Sequence, residues 1–190
     1  MRFKTVLYGL FLGLSIFLAS CGEDDLKKAN SVSTKKVTLS RDRTLGVDII
    51  YSDSARVKAR GVAPILDKVT PSTGSTYQEM IKGVKIDFYN PTGAIDGTLT
   101  CNYAIRLDQE LKTTFRKNVV VKNDKGDTFS SEELIWDEAK KIFYSTQRVY
   151  VKGADGNTGD GINFEAPQDF STYKMDKGSG ELNMKEGIAP

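Results

Sequence analysis

The sequence predicts an all-β, antiparallel fold, an elongated two-sheet sandwich or jelly roll, and three observations carry that expectation. Apolar residues alternate with polar ones at period two, clusters of turn formers separate the alternating runs, and part of the pattern returns after a shift of 30 residues. Alternation at period two puts one face of a strand into a core and the other into water.

The first segment has a different character. Arg2 and Lys4 precede an uncharged run from Thr5 to Phe17, the charged-then-apolar layout of an export signal, and one too short for a comfortable membrane span of about 20 residues. Leu18-Ala19-Ser20-Cys21 resembles the lipobox of bacterial lipoproteins. That resemblance implies cleavage after residue 20 and a diacylglyceryl group on Cys21, which anchors the mature chain to a membrane. Residues 21–44 are polar, with Glu23-Asp24-Asp25 followed by Lys27-Lys28 and a Ser/Thr/Lys-rich run, and read as a flexible tether. The acidic triplet is also a candidate sorting signal toward the outer membrane or cell surface.

The folded part is expected over 45–182, with a short tail at 183–190. Its strands are announced by Val47-x-Ile49-x-Tyr51, Val57-x-Ala59, Val84-x-Ile86-x-Phe88 and Leu99-x-Cys101-x-Tyr103-x-Ile105-x-Leu107. Turn formers stand between them: Asp53-Ser54, Pro71-Ser72-Thr73-Gly74, Asn90-Pro91-Thr92-Gly93, Asn123-Asp124-Lys125-Gly126 and Asp155-Gly156-Asn157, each suited to a chain reversal. A weak helical period over Gln78–Lys82 and Ser131–Trp136 allows at most a short helix or turn. The shift of 30 aligns Val119, Val121, Lys122, Gly126 and Thr128 with Val149, Val151, Lys152, Gly156 and Thr158, and brings Leu134 and Trp136 near Ile162 and Phe164. A lone hairpin cannot bury its apolar face, so such copies must stack on one another.

Composition excludes several function classes. Arg2 and Lys4 leave with the export signal, so the remaining basic residues balance the 25 acidic ones, and no basic footprint for nucleic acid remains. The chain has no histidine, which removes Ser-His-Asp and Cys-His catalysis and the common histidine metal sites. Cys101, the one thiol left beyond Cys21, falls on an apolar strand face and reads as a small buried hydrophobe. Glu132, Glu133, Asp137 and Glu138 suggest a pair of glycosidase carboxylates, but adjacent residues on a strand point to opposite faces, and a solvated edge is the better account. No catalytic residue, metal or cofactor is expected.

What remains is an aromatic-rich interior drawn from Phe88, Tyr103, Phe115, Trp136, Phe143, Phe164 and Phe170. It reads either as a well-filled core or as a long apolar slot for acyl chains, where each buried methylene contributes about 0.8 kcal/mol. The interior candidates are Ile86, Phe88, Leu99, Tyr103, Phe115, Val119, Val121, Trp136, Val149, Val151, Ile162 and Phe164.

Gly46–Arg60, Lys82–Tyr89, Leu99–Ala104, Asn118–Asn123, Glu133–Asp137, Lys141–Ser145 and Gly161–Phe170 form an ordered set of segments. Taken together, the set resembles the LptC family. The resemblance implies an OstA-like jelly roll at the periplasmic face of the inner membrane. It implies a non-enzymatic component that receives lipopolysaccharide from an inner-membrane ABC transporter and hands it to a periplasmic bridge protein of the same fold. Strand edges join such partners by backbone pairing. The first strand, at Val47, Ile49 and Tyr51, is then expected to face the transporter, and the last, at Phe170, Thr172 and Lys174, the bridge. Many members begin with a membrane-spanning helix where this chain has a lipobox, which sets its anchor apart. The competing expectation is a structural or adhesion lipoprotein whose sandwich is fully packed and binds another protein.

Overall fold

The computed structural model describes residues 38–181. The export signal, Cys21, the acidic triplet and the tail at 183–190 lie outside the described residues. Twelve strands follow one another: β1 (Leu39–Asp53), β2 (Arg56–Pro71), β3 (Tyr77–Met80), β4 (Val84–Tyr89), β5 (Ile95–Cys101), β6 (Tyr103–Leu107), β7 (Lys112–Asn123), β8 (Thr128–Asp137), β9 (Ile142–Ser145), β10 (Val149–Lys152), β11 (Thr158–Pro167) and β12 (Lys174–Glu181). Every pairing is antiparallel and all twelve belong to one sheet. The all-β expectation is met.

The sheet folds over on itself because its long strands change neighbours halfway along. β2 pairs with β4 through 59–62 and with β3 through 67–69. β7 pairs with β6 through 112–116 and with β5 through 120–123. β11 pairs with β10 through 158–161 and with β9 through 164–167. Residues of positive φ mark the corners: Gly46 (63°) in β1, Lys117 (64°) and Asn118 (56°) in β7, and Asn163 (53°) in β11. A bulge of this kind bends the strand and shifts its pairing, so each long strand serves two layers and the apolar faces enclose one interior. Leu99, Val119, Val121, Phe143, Val149 and Phe164 are almost fully buried there, each contributing roughly 1.5–3 kcal/mol.

The 30-residue repeat is a stacked pair of hairpins. The turn between β7 and β8 closes with Gly126 N–H on Asn123 O (3.1 Å), and the turn between β10 and β11 with Gly156 N–H on Gly153 O (3.0 Å). The two glycines have φ of 90° and 89°, a conformation that side-chain-bearing residues avoid. The copies touch directly, since β8 pairs with β10 from Val149↔Ser131 to Lys152↔Thr128.

Several expectations need correction. β1 begins at Leu39, so 39–44 are strand and not tether. Their two basic charges are consumed by pairing: Arg41 and Arg43 fork the buried Asp67 at 2.7–2.8 Å. The stretches of weak helical period are β3 and β8; the single helical element among the described residues is a 3-10 turn at Asp108–Glu110. Tyr103 is not interior. The chain breaks at Asn102, whose N–H donates to Lys117 O (2.9 Å), and the phase slips by one so that Ala104 turns inward beside Phe115. A one-residue slip exchanges the faces, and Tyr103 lies outside the core with its hydroxyl donating to Glu79 (2.8 Å). Ile162 is displaced for the same reason: Gly161 and Phe164 are buried on either side of the Asn163 bulge, leaving Ile162 half-buried, opposite Asp176 and outside the core.

Candidate functional site

The interior is not uniformly filled. Toward its far end, Phe170 packs 4.9 Å from Phe143, 5.2 Å from Phe129 and 6.3 Å from Phe164, ring centre to ring centre. Offset and tilted contacts of this kind are favourable packing, and they plug the roll. Toward the β1–β2 hairpin the layers part, leaving a cavity of about 320 Å³. That is at the low end for ligand pockets, which run from about 300 to 1,000 Å³.

One wall of this slot is the hairpin, through Ile49, Ile50, Tyr51, Ala59 and Gly61, continued by Val84, Ile86 and Phe88 of β4. The other is Met80, Phe115, Trp136 and Phe143. Hairpin residues reach the slot because β1 and β2 run 14 residue pairs together, joined by Ser54 and Ala55, both of positive φ, as the tight hairpin turn requires. Trp136 tilts against Phe143 with ring centres 4.7 Å apart and forms the floor. Its partial burial, rather than full burial, is what leaves the slot open beside it.

Gln78, Arg106, Thr113 and Gln168 supply the polar groups of the mouth. Arg106 is held by Asp108 (3.0 Å) and Glu138 (2.9 Å), so its charge is already met. Burial, with Glu138 nearby, pushes the Tyr51 hydroxyl above its ordinary range; it stays protonated and able to donate. The slot therefore offers an apolar trough whose rim carries no unmatched positive charge.

Of the interior candidates, Ile86, Phe88, Phe115 and Trp136 come together in the slot. Leu99, Val119, Val121, Val149 and Phe164 belong to the packed core, and Val151, also in the core, borders a shallow outer groove with Tyr150 and Lys152. Phe143 was expected in the aromatic interior, though not singled out as a lipid contact; Met80 and the mouth residues were not among the candidates. Met80 was hidden by the helical period of its segment; Arg106 and Gln168 carried no pattern at all.

The expected edges divide as well. β1 pairs with β2 alone and β12 with β11 alone, and these are the two free edges among the described residues. Val47 and Tyr51 pack inward while Ile49 remains 41 % exposed. Phe170 is no edge residue: at 2 % exposure it is part of the plug. Thr172 precedes the last strand, and Lys174 opens it, paired with Glu165 at 2.9 Å.

The four carboxylates near Trp136 do not converge. Glu133 pairs with Arg116 (2.7 Å) and Glu138 with Arg106, while Asp137 is buried, not solvated, accepting the Lys140 N–H (3.0 Å). Among the described residues no group of His, Cys, Asp or Glu is arranged to hold a metal ion, and no helix is long and apolar enough to cross a membrane. Neither family models nor curated proteins match this chain.

Proposed function

We propose that this chain is a passive carrier of lipopolysaccharide, the role its LptC-like segments imply. It receives lipid from an inner-membrane ABC transporter and passes it to a periplasmic bridge protein of the same fold, with no bond made or broken. Cys21, lipidated, holds it at the periplasmic face of the inner membrane, unless Glu23-Asp24-Asp25 directs it onward.

The observation that supports this reading is the apolar slot between Ile49, Ile86 and Phe88 on one side and Phe115 and Trp136 on the other, beside the free outer edge of β1. An acyl segment is held there by burial alone, at about 0.8 kcal/mol per methylene, which suits a carrier that must also release. At its present volume the slot takes part of one chain, and the hairpin must swing for more to enter. Free edges at β1 and β12 give backbone pairing to a neighbour at either end.

A photocrosslinker placed at Ile49 or Trp136 in living cells is expected to capture lipopolysaccharide, and one at Thr172 a periplasmic partner. A stable, lipidated chain that captures neither at any of the three positions refutes the carrier role. The aromatic plug at Phe170 favours the second reading, a packed structural or adhesion lipoprotein, and protein capture without lipid would establish that one.

A further inference from the structure

The two layers also part at the corner where β2 changes neighbours. Its partner is β4 up to Val62 and β3 from Asp67 onward. The four residues between make no ladder on that side among the described residues, and one of them, Pro64, has no N–H to offer. An opening of about 640 Å³ lies there. It is lined from both faces of one layer: Asp48, Val62 and Lys85 belong to the outer face, whereas Val47, Ala63, Val84 and Cys101 pack inward. At this corner the opening therefore borders residues of both faces, with the buried Val84 and Cys101 at its base. Val84 also lines the slot, so the seam and the slot share a wall.

Charge distinguishes the seam from the mouth of the slot. At the mouth, Arg106 is matched by two carboxylates. At the seam, Asp48 is clasped by Arg60 (2.5 Å) and Lys85 lies 3.0 Å from Asp87, while Lys82, exposed on the rim, has no carboxylate partner among the described residues. The seam thus carries an unspent positive charge over an apolar floor, which complements an anion attached to hydrocarbon.

We infer that this seam seats the phosphorylated headgroup of the carried lipid, with the unmatched Lys82 as its first cationic contact, Lys85 turning from Asp87 to become the second, and the acyl part directed past Val84 toward the slot. The inference rests on the carrier reading and adds an orientation to it. Phosphate is favoured over a neutral sugar because an ammonium gives a strong, charge-assisted contact to phosphate oxygens.

The test uses the full-length lipoprotein in detergent and measures affinity for lipid A bearing its phosphates and for the same lipid dephosphorylated. Lys82→Glu and Lys85→Glu, both on exposed positions, are compared with wild type after matching melting curves. The expected result is a loss of about fivefold or more for the phosphorylated lipid, the upper range for an exposed ion pair, with the dephosphorylated lipid unchanged. Equal affinities of wild type and both variants for the phosphorylated lipid overturn the headgroup seat but leave the carrier standing. Wild type that binds neither lipid overturns the carrier and the seat together. Inorganic phosphate is the third probe; displacement of the lipid by it at equal concentration overturns the commitment to a lipid-borne anion.

Discussion

Lys141 Nζ lies 2.6 Å from Asp53 Oδ2, joining the turn before β9 to the tip of the β1–β2 hairpin across 88 positions of sequence. Gln168 adds a weaker tie, donating from Nε2 to Lys58 O at 3.4 Å. These contacts hold the hairpin down over the slot, and the ion pair is exposed, so it adds little to global stability. Lys141→Gln is expected to leave the melting temperature nearly unchanged while accelerating amide exchange through 47–63. Exchange that stays at the wild-type rate would show that packing by Tyr51 and Ala59 holds the hairpin without the tie.

Phe143 and Trp136 touch, yet their truncation should differ. Phe143 is 1 % exposed and meets Phe88, Phe115, Trp136 and Phe170; Phe143→Ala is expected to cost about 3–5 kcal/mol. Trp136 already borders empty space, so Trp136→Ala should cost about 2 kcal/mol, since only its inward half loses contacts. Denaturant melts of the two variants decide it, and equal losses would mean the slot is closed in solution.

Asp67 is fully shielded, and the guanidinium groups of Arg43 and Arg41 hold its carboxyl well below the usual carboxylate range. A carboxyl whose folded pKa lies below its unfolded value of about 3.9 stabilises the fold fully above that pH and loses the contribution as pH falls further. The wild type should therefore show an acid limb of declining stability beginning near pH 4. Asp67→Asn should be less stable at pH 7 and flatter below pH 4, as followed by urea melts across the range. Parallel curves for the two proteins would remove Asp67 from the acid response.

Burial pushes the Cys101 thiol up to about 11, and its Sγ donates to Tyr103 O at 3.2 Å. At pH 8 the folded protein is expected to leave Cys101 unmodified by a thiol-specific reagent for hours, with full reaction in urea. Rapid labelling of the folded form would mean that the seam beside it opens readily.

Legibility in the sequence followed from how regular the strand was. The alternation of Val84, Ile86 and Phe88 and the paired turns at Gly126 and Gly156 needed only period two and a left-handed glycine, and they are where the pattern placed them. Tyr103 and Ile162 were misplaced because one extra residue, Asn102 in the first case and Asn163 in the second, shifts the phase of the strand without leaving a mark in hydropathy. Residues 39–44 looked like tether because an edge strand carries charge on both faces, and the partner of Arg41 and Arg43 lies 24 or more positions away at Asp67. The slot was the least legible feature, since a cavity depends on how far two walls stand apart, which no local pattern encodes.

Trp136 is the one tryptophan of the chain and lines the slot, so it reports occupancy directly. Acyl chains brominated near their middle should quench its fluorescence on binding, while bromide ion in water should do so weakly. Gly61 supplies the control. Its backbone carries no left-handed strain, and a Cβ there would meet Ile86 Cγ1 at 3.6 Å, an ordinary contact, so a longer side chain extends into the slot rather than into the backbone. Gly61→Leu is expected to retain the wild-type melting temperature within a few degrees and to abolish quenching by the brominated chain. Undiminished quenching in the folded Gly61→Leu protein would locate the lipid elsewhere than between the hairpin and Trp136, because a filled trough leaves no path for bromine to approach the indole from within.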